Sequence, residues 1–236
     1  RPGWIPGDWT FTAKLLAANG VNAIFANVVW GGCAHYPSAL LPGSATLRLY
    51  GDQIAAGLAA AKARNMQYHV WMVLGKLDGA PPDFVARMKK EGRLQVADTG
   101  VTRPGLNPHH PSNRALLLGV VEEIAKNYPA LDGLHLDYIR LPDSQSDYSP
   151  ATRLRFEAAT KVKCKRWPAE VKAGGPRNLE FRRWRTADIT RLVADIRATL
   201  RKANPRAKLS AAVFGAAAPD GGNIAQYWPD WLKAGS

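Results

Sequence analysis

The sequence has few cysteines and no long apolar run, and both shortages limit what the chain can be. Among its 236 residues are only 2 cysteines, Cys33 and Cys164, which lie far apart and lack the close spacing of metal ligands. We therefore expect both to be free thiols. No run of ~18 or more apolar residues occurs, so the sequence predicts no transmembrane segment. The first residues also lack the charged-then-apolar layout of a signal peptide.

Several functional motifs are missing as well. No glycine-rich phosphate-binding fingerprint follows the first clear strand pattern, which argues against a dinucleotide-binding domain. The histidines form neither a His-x-His pair nor a His-Glu-x-x-His helix, so we expect no metal centre and no cofactor. These histidines are His35, His69, His109, His110 and His135.

Acidic residues are outnumbered, with 19 Asp and Glu against 32 Lys and Arg, which gives a formal net charge of +13. Such a positive field attracts anionic polymers such as nucleic acid or anionic glycans. A solvated basic surface without a partner explains the charge equally well. The basic residues are spread over many predicted helices instead of one face with aromatic platforms, so we expect no nucleic-acid partner.

Short apolar runs that predict strands alternate with longer helical patterns. The predicted strands cover residues 22–29, 68–74, 131–139 and 209–214, with a short leading strand at Trp4 and Ile5. Predicted helices cover residues 52–65, 113–128 with Asn113 as N-cap, 186–203 and 228–233. A long polar, Pro-rich segment follows the second of the clear strands. A basic stretch with tryptophans, residues 161–185, is a candidate lid or a packing element.

Repeated strand-then-helix units indicate parallel strands, either in a doubly wound sheet or in an α/β barrel of the (β/α)8 TIM type. The missing phosphate fingerprint favours the barrel. A complete barrel needs ~250 residues, and this chain contains long insertions. We therefore expect residues 1–236 to form one barrel domain that is truncated after about five units.

In a parallel barrel the active site lies at the carboxyl ends of the strands. Asp137 is at such an end, and a buried carboxylate there is either paired with Arg140 or placed for chemistry. We predict that Asp137 is the catalytic carboxylate. The predicted substrate-binding residues lie at or near strand ends: Asn27, Trp30, His69, Trp71, His135, Tyr138, Arg140 and Phe214. Trp30 and Trp71 suit stacking on a sugar ring.

The segment 131–142, LDGLHLDYIRLP, resembles the "DGIHxDYIRYP" signature of bacterial proteins known as glycosyl-hydrolase-like family ten. Further motifs of that family match in order along the chain. They lie at residues 20–25, 35–38, 69–71, 107–113 and 210–214, followed by Gln226 and Trp228. Departures are Leu141, where tyrosine is usual, and Tyr227, where the relatives have aspartate.

The resemblance implies a TIM-type barrel that hydrolyses O-glycosidic bonds of a bacterial polysaccharide. Relatives are implicated in cell-wall glycan turnover and are usually exported, which implies a periplasmic or secreted protein with a polysaccharide partner. It also implies a further strand after residue 236. A catalytically inactive glycan-binding barrel is the alternative.

Glycoside hydrolysis usually takes two carboxyl groups, and the sequence supports only Asp137 well. The nearest candidates for a second are Asp143 and Asp220 in predicted loops, and Glu157 at a predicted surface position on a helix. The role of Asp137, as acid or as nucleophile, stays open at this point.

Overall fold

The computed structural model describes residues 7–215, 218 and 220–233. Within them, seven strands form one five-stranded sheet and one separate hairpin. The strands are β1 (Ala23–Trp30), β2 (Cys33–Ala34), β3 (Gln67–Val73), β4 (Leu94–Val96), β5 (Thr102–Leu106), β6 (Gly133–Asp137) and β7 (Lys208–Ala211). The predicted leading strand at Trp4 and Ile5 lies outside the described residues.

Eight helices connect and cover the strands in the described part of the chain. They are α1 (Trp9–Ala18), α2 (Ala45–Tyr50), α3 (Gln53–Lys62), α4 (Pro82–Lys90), α5 (Pro111–Asn127), α6 (Pro150–Thr160), α7 (Asn178–Ala203) and α8 (Pro229–Lys233). Side-chain caps define several starts: the Asp52 carboxylate accepts from the first backbone N–H groups of α3, and Ser149 does the same for α6. None of the described helices is long and apolar enough to cross a membrane.

The main sheet has the order β2-β1-β3-β6-β7. Strands β1, β3, β6 and β7 run parallel, and the two-residue β2 adds an antiparallel edge. Helices return the chain between the parallel strands, as a right-handed crossover requires. The prediction of an α/β barrel-type sheet is confirmed, with four of its parallel strands in the described residues.

The two faces of the sheet differ in polarity. Ala26, Val70 and Leu134 point to the helices, where they join the main hydrophobic core with Ile189 and Ile196 of α7. The opposite face, which lines the inside of a barrel, places Asn27, Trp71, His135 and Ser210 in one row across four strands. Because side chains alternate along a strand, residues two positions further on lie on the same inner face.

Strand β1 contains one extra residue near its carboxyl end. Asn27 is opposite Trp71, but Val29 is opposite Met72, so Val28 has no counterpart in β3. Both Val28 and Val29 are buried, which breaks the alternation of buried and exposed positions. This irregularity has the residue count of a β-bulge. By alternation after the bulge, Trp30 returns to the inner face.

The Pro-rich segment after β3 is more ordered than its sequence indicated. Helix α4 and the hairpin β4–β5 enclose a small core of their own, formed by Leu77, Phe84, Met88, Leu94 and Leu106. A hydrogen bond connects this hairpin to the loop after β6: the Val96 backbone N–H donates to the Asp147 carboxylate at 2.6 Å. The hairpin therefore stands as a fixed wall above the carboxyl ends of β3 and β6.

The basic stretch 161–185 has a packing role. Val171, Phe181 and Trp184 are buried with Phe156 of α6, and Trp167 packs against them. Accordingly α7 begins at Asn178, eight positions before the predicted start at residue 186. The helical spacing of apolar residues did not predict residues 178–185 as helix, because the aromatic side chains of this part face a second, smaller core.

Two further predictions about helices need correction. Helix α5 begins at Pro111 with His110 as its cap, whereas Asn113 is buried inside the first turn and donates to the Asn107 carbonyl oxygen. Glu157 is buried, with 5% exposure, instead of lying on the surface. Its carboxylate accepts from Arg153 at 2.8 Å and from the Cys164 backbone N–H at 3.0 Å. Both cysteines are free and buried, as expected.

Candidate active site

Asp137 is the last residue of β6, at the carboxyl end of the parallel strands. Each of its carboxylate oxygens accepts one hydrogen bond from an N–H group. Trp71 Nε1 donates at 3.2 Å and the Tyr138 backbone N–H donates at 2.7 Å. The carboxylate is therefore fixed in direction and half-buried, with no cation paired to it among the described residues. The alternative of an Asp137–Arg140 ion pair is not what the structure has.

The polar row below Asp137 is built from three neighbouring strands. His135 Nδ1 and the Ser210 hydroxyl are 2.9 Å apart, and the Trp71 ring meets the His135 ring edge-on at a centroid distance of 5.8 Å. Burial holds the pKa of His135 below its usual value, and the nearby Asp137 carboxylate partly opposes this shift. The imidazole is thus held neutral at pH 7 and can accept or donate a hydrogen bond.

Asn27 and Trp30 lie on the same inner face of β1. Asn27 Oδ1 is buried and has no hydrogen-bond partner among the described residues, which leaves an acceptor free in the row that contains Trp71. Trp30, at the carboxyl end, is 43% exposed and packs near Gly79. The structure thus places Asn27, Trp30 and Trp71 on the Asp137 side of the sheet.

His69 does not belong to this group, and its expected position at the carboxyl ends is wrong. Its register partner is Gly133, the first residue of β6, whereas Asp137 is opposite Val73. Four residues of strand separate the two levels, which is about 13 Å. The His69 ring stacks on Phe25 at 4.5 Å and its Nε2 contacts the Gln67 side chain at 3.0 Å. It is a buried residue near the amino ends of the strands.

Tyr138, Arg140 and Phe214 are brought together just beyond Asp137. Tyr138 has a φ of 55°, in the left-handed region, and its carbonyl accepts from the Arg140 backbone N–H at 2.8 Å. The Arg140 guanidinium lies 4.5 Å from the Tyr138 ring centroid and 5.0 Å from that of Phe214. Both contacts are cation–π interactions.

A cavity of about 340 Å³ opens beside these residues, between the loop after β3, the β4–β5 hairpin and the loop after β6. Its polar lining consists of Lys76, Asp78, Gln95, Arg103, Tyr138 and Arg140. Sequence reasoning missed Lys76, Asp78, Gln95 and Arg103. Loops and short hairpins carry no periodic pattern of apolar residues. The one indication that these residues belong to the site was therefore their position near strand ends.

The three candidates for a second carboxyl group are all engaged in ion pairs. Asp143 pairs with Arg103 at 2.6 Å, Asp220 pairs with Arg182 at 2.7 Å, and Glu157 pairs with Arg153. Asp78 is different: it lines the cavity and is exposed, and its one ion-pair partner among the described residues is Lys76, at 4.0 Å. The described residues contain no group of three or more His, Cys, Asp or Glu side chains that could hold a metal ion.

Residues of the matched motifs that do not face the cavity hold the strands in place. Asp132 accepts from Lys62 at 2.7 Å and from the Tyr68 backbone N–H at 2.8 Å, at the amino end of β6. Gln226 accepts from the Phe214 backbone N–H at 2.9 Å, and Trp228 Nε1 donates to the Phe214 carbonyl at 3.0 Å. Gln226 and Trp228 therefore position the backbone of Phe214, in the segment that follows β7.

Comparison with solved structures identifies the fold. The PgaB (BpsB) glycoside hydrolase domain from Bordetella bronchiseptica superposes with a TM-score of 0.70 at 16% identity, over 95% of this chain and 66% of that chain. The β-amylase catalytic domain from Paenibacillus polymyxa gives 0.58 at 15% identity, over 86% and 62%. A β-galactosidase from Marinomonas ef1 gives 0.63 at 12% identity, over 88% and 35%. No curated protein matches the sequence.

At these identities the similarity establishes the fold, which is that of TIM-barrel glycoside hydrolase domains. The chain spans just under two thirds of the length of the first two of these structures. The sequence itself matches the family model described as "Glycosyl hydrolase-like 10" over residues 9–236, almost from end to end. This chain therefore belongs to the glycosyl hydrolase-like 10 family.

Proposed function

We propose that this protein is a glycoside hydrolase that cleaves O-glycosidic bonds of a bacterial polysaccharide, with Asp137 as a catalytic carboxylate. One observation carries the proposal: Asp137 ends β6 with both carboxylate oxygens directed by N–H donors, and the next residue, Tyr138, lines a cavity. A group held in this way needs no reorganisation when charge develops on the sugar. The family and the neighbouring glycosidase structures support the same chemistry.

The mechanism requires a second carboxyl group, and Asp78 is the best candidate among the described residues. It lines the cavity, while Asp143, Glu157 and Asp220 are engaged by arginines. Carboxyl groups about 5–5.5 Å apart give retention of configuration and groups ~6.5–9.5 Å apart give inversion. Trp71 and Trp30 offer aromatic faces for a sugar ring, and Asn27 Oδ1 offers an unpaired acceptor to a sugar hydroxyl.

The substrate we favour is a cell-wall glycan of the peptidoglycan type, and we propose that the protein acts outside the cytoplasm. The net charge of +13 supports an anionic or mixed-charge polymer over a neutral one.

The test is Asp137→Asn in the full chain, assayed on purified cell-wall glycan by release of reducing ends and by mass spectrometry of the products. The change preserves size but removes the ionisable group, so we expect kcat to fall by at least about a hundredfold. Asp132→Asn is the matched control, because Asp132 directly precedes β6 at the end of the strand away from Asp137. Wild-type-like cleavage by a folded Asp137→Asn protein would exclude Asp137 from the chemistry.

A glycan-binding barrel without catalysis is the second candidate. The observation in its favour is that Asp137 is the one carboxylate at a described parallel-strand end, the other candidates lying in loops or on a helix. It predicts that wild type and Asp137→Asn bind the glycan with similar affinity and that neither releases reducing ends.

A further inference from the structure

Four side chains beyond Asp137 form a continuous stack of cations and rings, which we call the cationic stack: Lys76, Tyr138, Arg140 and Phe214. Lys76 Nζ lies 4.9 Å from the Tyr138 ring centroid. The Arg140 guanidinium carbon contacts both rings, at 4.5 Å from Tyr138 and 5.0 Å from Phe214. Tyr138 therefore contacts two cations at the cavity wall.

The backbone fixes both rings of the cationic stack. The left-handed conformation of Tyr138 and its carbonyl bond to the Arg140 N–H turn the chain sharply after β6. Phe214 is held by Gln226 and Trp228 through its own backbone N–H and carbonyl. Since both rings are anchored, the guanidinium between them has little freedom, and a ligand would not have to order it.

Among the described residues, the charge of the cationic stack is only partly neutralised by acidic side chains. Within the described ranges Arg140 forms no ion pair, and its guanidinium donates one bond, to the Leu141 carbonyl at 3.2 Å. In the same part of the chain, Lys76 has one ion-pair partner, the exposed Asp78 at 4.0 Å. Arg103, the third cation of the cavity, is by contrast satisfied by Asp143, Ser146 and Gln145. Set against Asp78, the two cations Lys76 and Arg140 leave a surplus of about one positive charge within the stack, with the Asp137 carboxylate outside it.

Stacking occupies the faces of a guanidinium and leaves its in-plane N–H donors at the edge. That edge matches the two oxygens of a carboxylate, which it binds with paired hydrogen bonds. A surplus near one charge suits a singly charged carboxylate better than a doubly charged phosphate. The ring faces of Tyr138 and Phe214 contact Arg140, which makes them supports for the cation more than platforms for a sugar.

We propose that the cationic stack is a subsite for a carboxylate carried by a sugar of the glycan substrate, with Arg140 as the specificity-determining residue. The inference rests on the proposed function, because it places this sugar next to the bond at Asp137. The carboxylate belongs either to a uronic acid or to a carboxyalkyl ether on the sugar ring, and both present the same chemistry to Arg140.

The experiment measures binding separately from cleavage. Asp137→Asn protein is titrated by calorimetry with two oligosaccharides, one containing a uronic acid and one containing a lactyl-ether sugar. Each is compared with its derivative in which the carboxylate has been reduced to an alcohol. We expect at least one acid form to bind about tenfold or more tightly than its reduced form, the size of one charged hydrogen-bond pair. Arg140→Met on this background should remove that preference.

Lys89→Met is the matched control, because it removes the same charge from an exposed position on α4, away from the cavity. It should keep the full preference for the acid form. Equal affinity for acid and reduced forms in both arms, or an unchanged preference in Arg140→Met, would overturn the carboxylate subsite. Reducing-end assays on the wild type test the hydrolase proposal independently. A protein that binds the acid form without cleaving it would contradict the hydrolase proposal and leave the carboxylate subsite unaffected.

Discussion

Gly133, the first residue of β6, has no space for a side chain. A Cβ added there would overlap the His69 ring and lie 2.8 Å from the Lys208 carbonyl oxygen. Both neighbours belong to the strands that pair with β6 on either side. The glycine of the matched motif therefore allows β3, β6 and β7 to approach one another while His69 fills the inner face.

We expect Gly133→Ala to lower the free energy of unfolding by about 1–3 kcal/mol, as in other overpacked cores. Urea denaturation followed by circular dichroism measures the change. Gly215→Ala is the control, because no described residue lies within 4 Å of an added Cβ there, and it should change stability by less than ~0.5 kcal/mol. If both variants unfold at the wild-type urea concentration, the close approach at Gly133 has no energetic importance.

For single residues, the sequence predicted part of the candidate site and missed the rest. The strand-end position of Asp137 was predictable, because a polar residue ends an apolar run. His69 was misplaced because its level depends on where β3 ends, at Val73, four residues further on. Lys76 and Asp78 were missed because only the folded hairpin β4–β5 turns the loop after β3 into a cavity wall.

Three helices meet at one buried carboxylate, that of Asp188 on α7. It accepts from His109 Nδ1 at 2.8 Å, from Arg155 of α6 at 2.6 Å and from Arg191 at 3.1 Å, with Arg114 of α5 at 3.5 Å. Burial alone would raise the pKa of Asp188, but the His109 hydrogen bond and the arginines hold it well below its usual range. The carboxylate is therefore charged in the folded protein and links α5, α6 and α7.

We expect Asp188→Asn to destabilise the protein by about 3–5 kcal/mol, because it leaves several cations without their buried partner. Asp195→Asn is a matched control on the same helix, since Asp195 also pairs with Arg114, at 2.8 Å, but is half exposed. It should cost no more than about 1 kcal/mol. Thermal unfolding of the two variants side by side measures the difference, and equal losses would contradict a special role for the buried carboxylate.

At the level of elements, the sheet was easier to predict than its insertions. Apolar runs located β1, β3 and β6, because these strands are buried by helices on one face. The hairpin β4–β5 and helix α4 escaped prediction because their apolar residues pack only against one another, in the small core around Phe84 and Met88. The early start of α7 depends likewise on contacts with α6 that are distant in sequence.

For the whole molecule, charge is the property that should govern encounter with substrate. The net charge of +13 attracts an anionic glycan over a range set by the Debye length, ~10 Å at 0.1 M salt. We therefore expect affinity for an anionic cell-wall glycan to fall steadily as salt concentration rises. Binding isotherms across a salt series measure this dependence.

A neutral glucan is the control for that series, because stacking on Trp30 or Trp71 and hydrogen bonding act at short range. Its affinity should change little with salt. Equal and salt-independent affinity for both polymers would contradict electrostatic attraction and leave the fold and the Asp137 proposal unaffected.

The extra residue in β1 makes the length of that strand as important as its composition. Up to Asn27, alternate residues of β1 face the inside of the barrel, and the extra residue Val28 shifts this alternation by one position. Trp30 therefore lies on the same inner face as Asn27. If the same residues formed a regular strand without the bulge, Trp30 would turn towards the helices and Val29 would face the inside of the barrel. Because removal of the extra residue keeps Trp30 on the inner face, we expect related sequences that lack the bulge to have a one-residue gap at Val28.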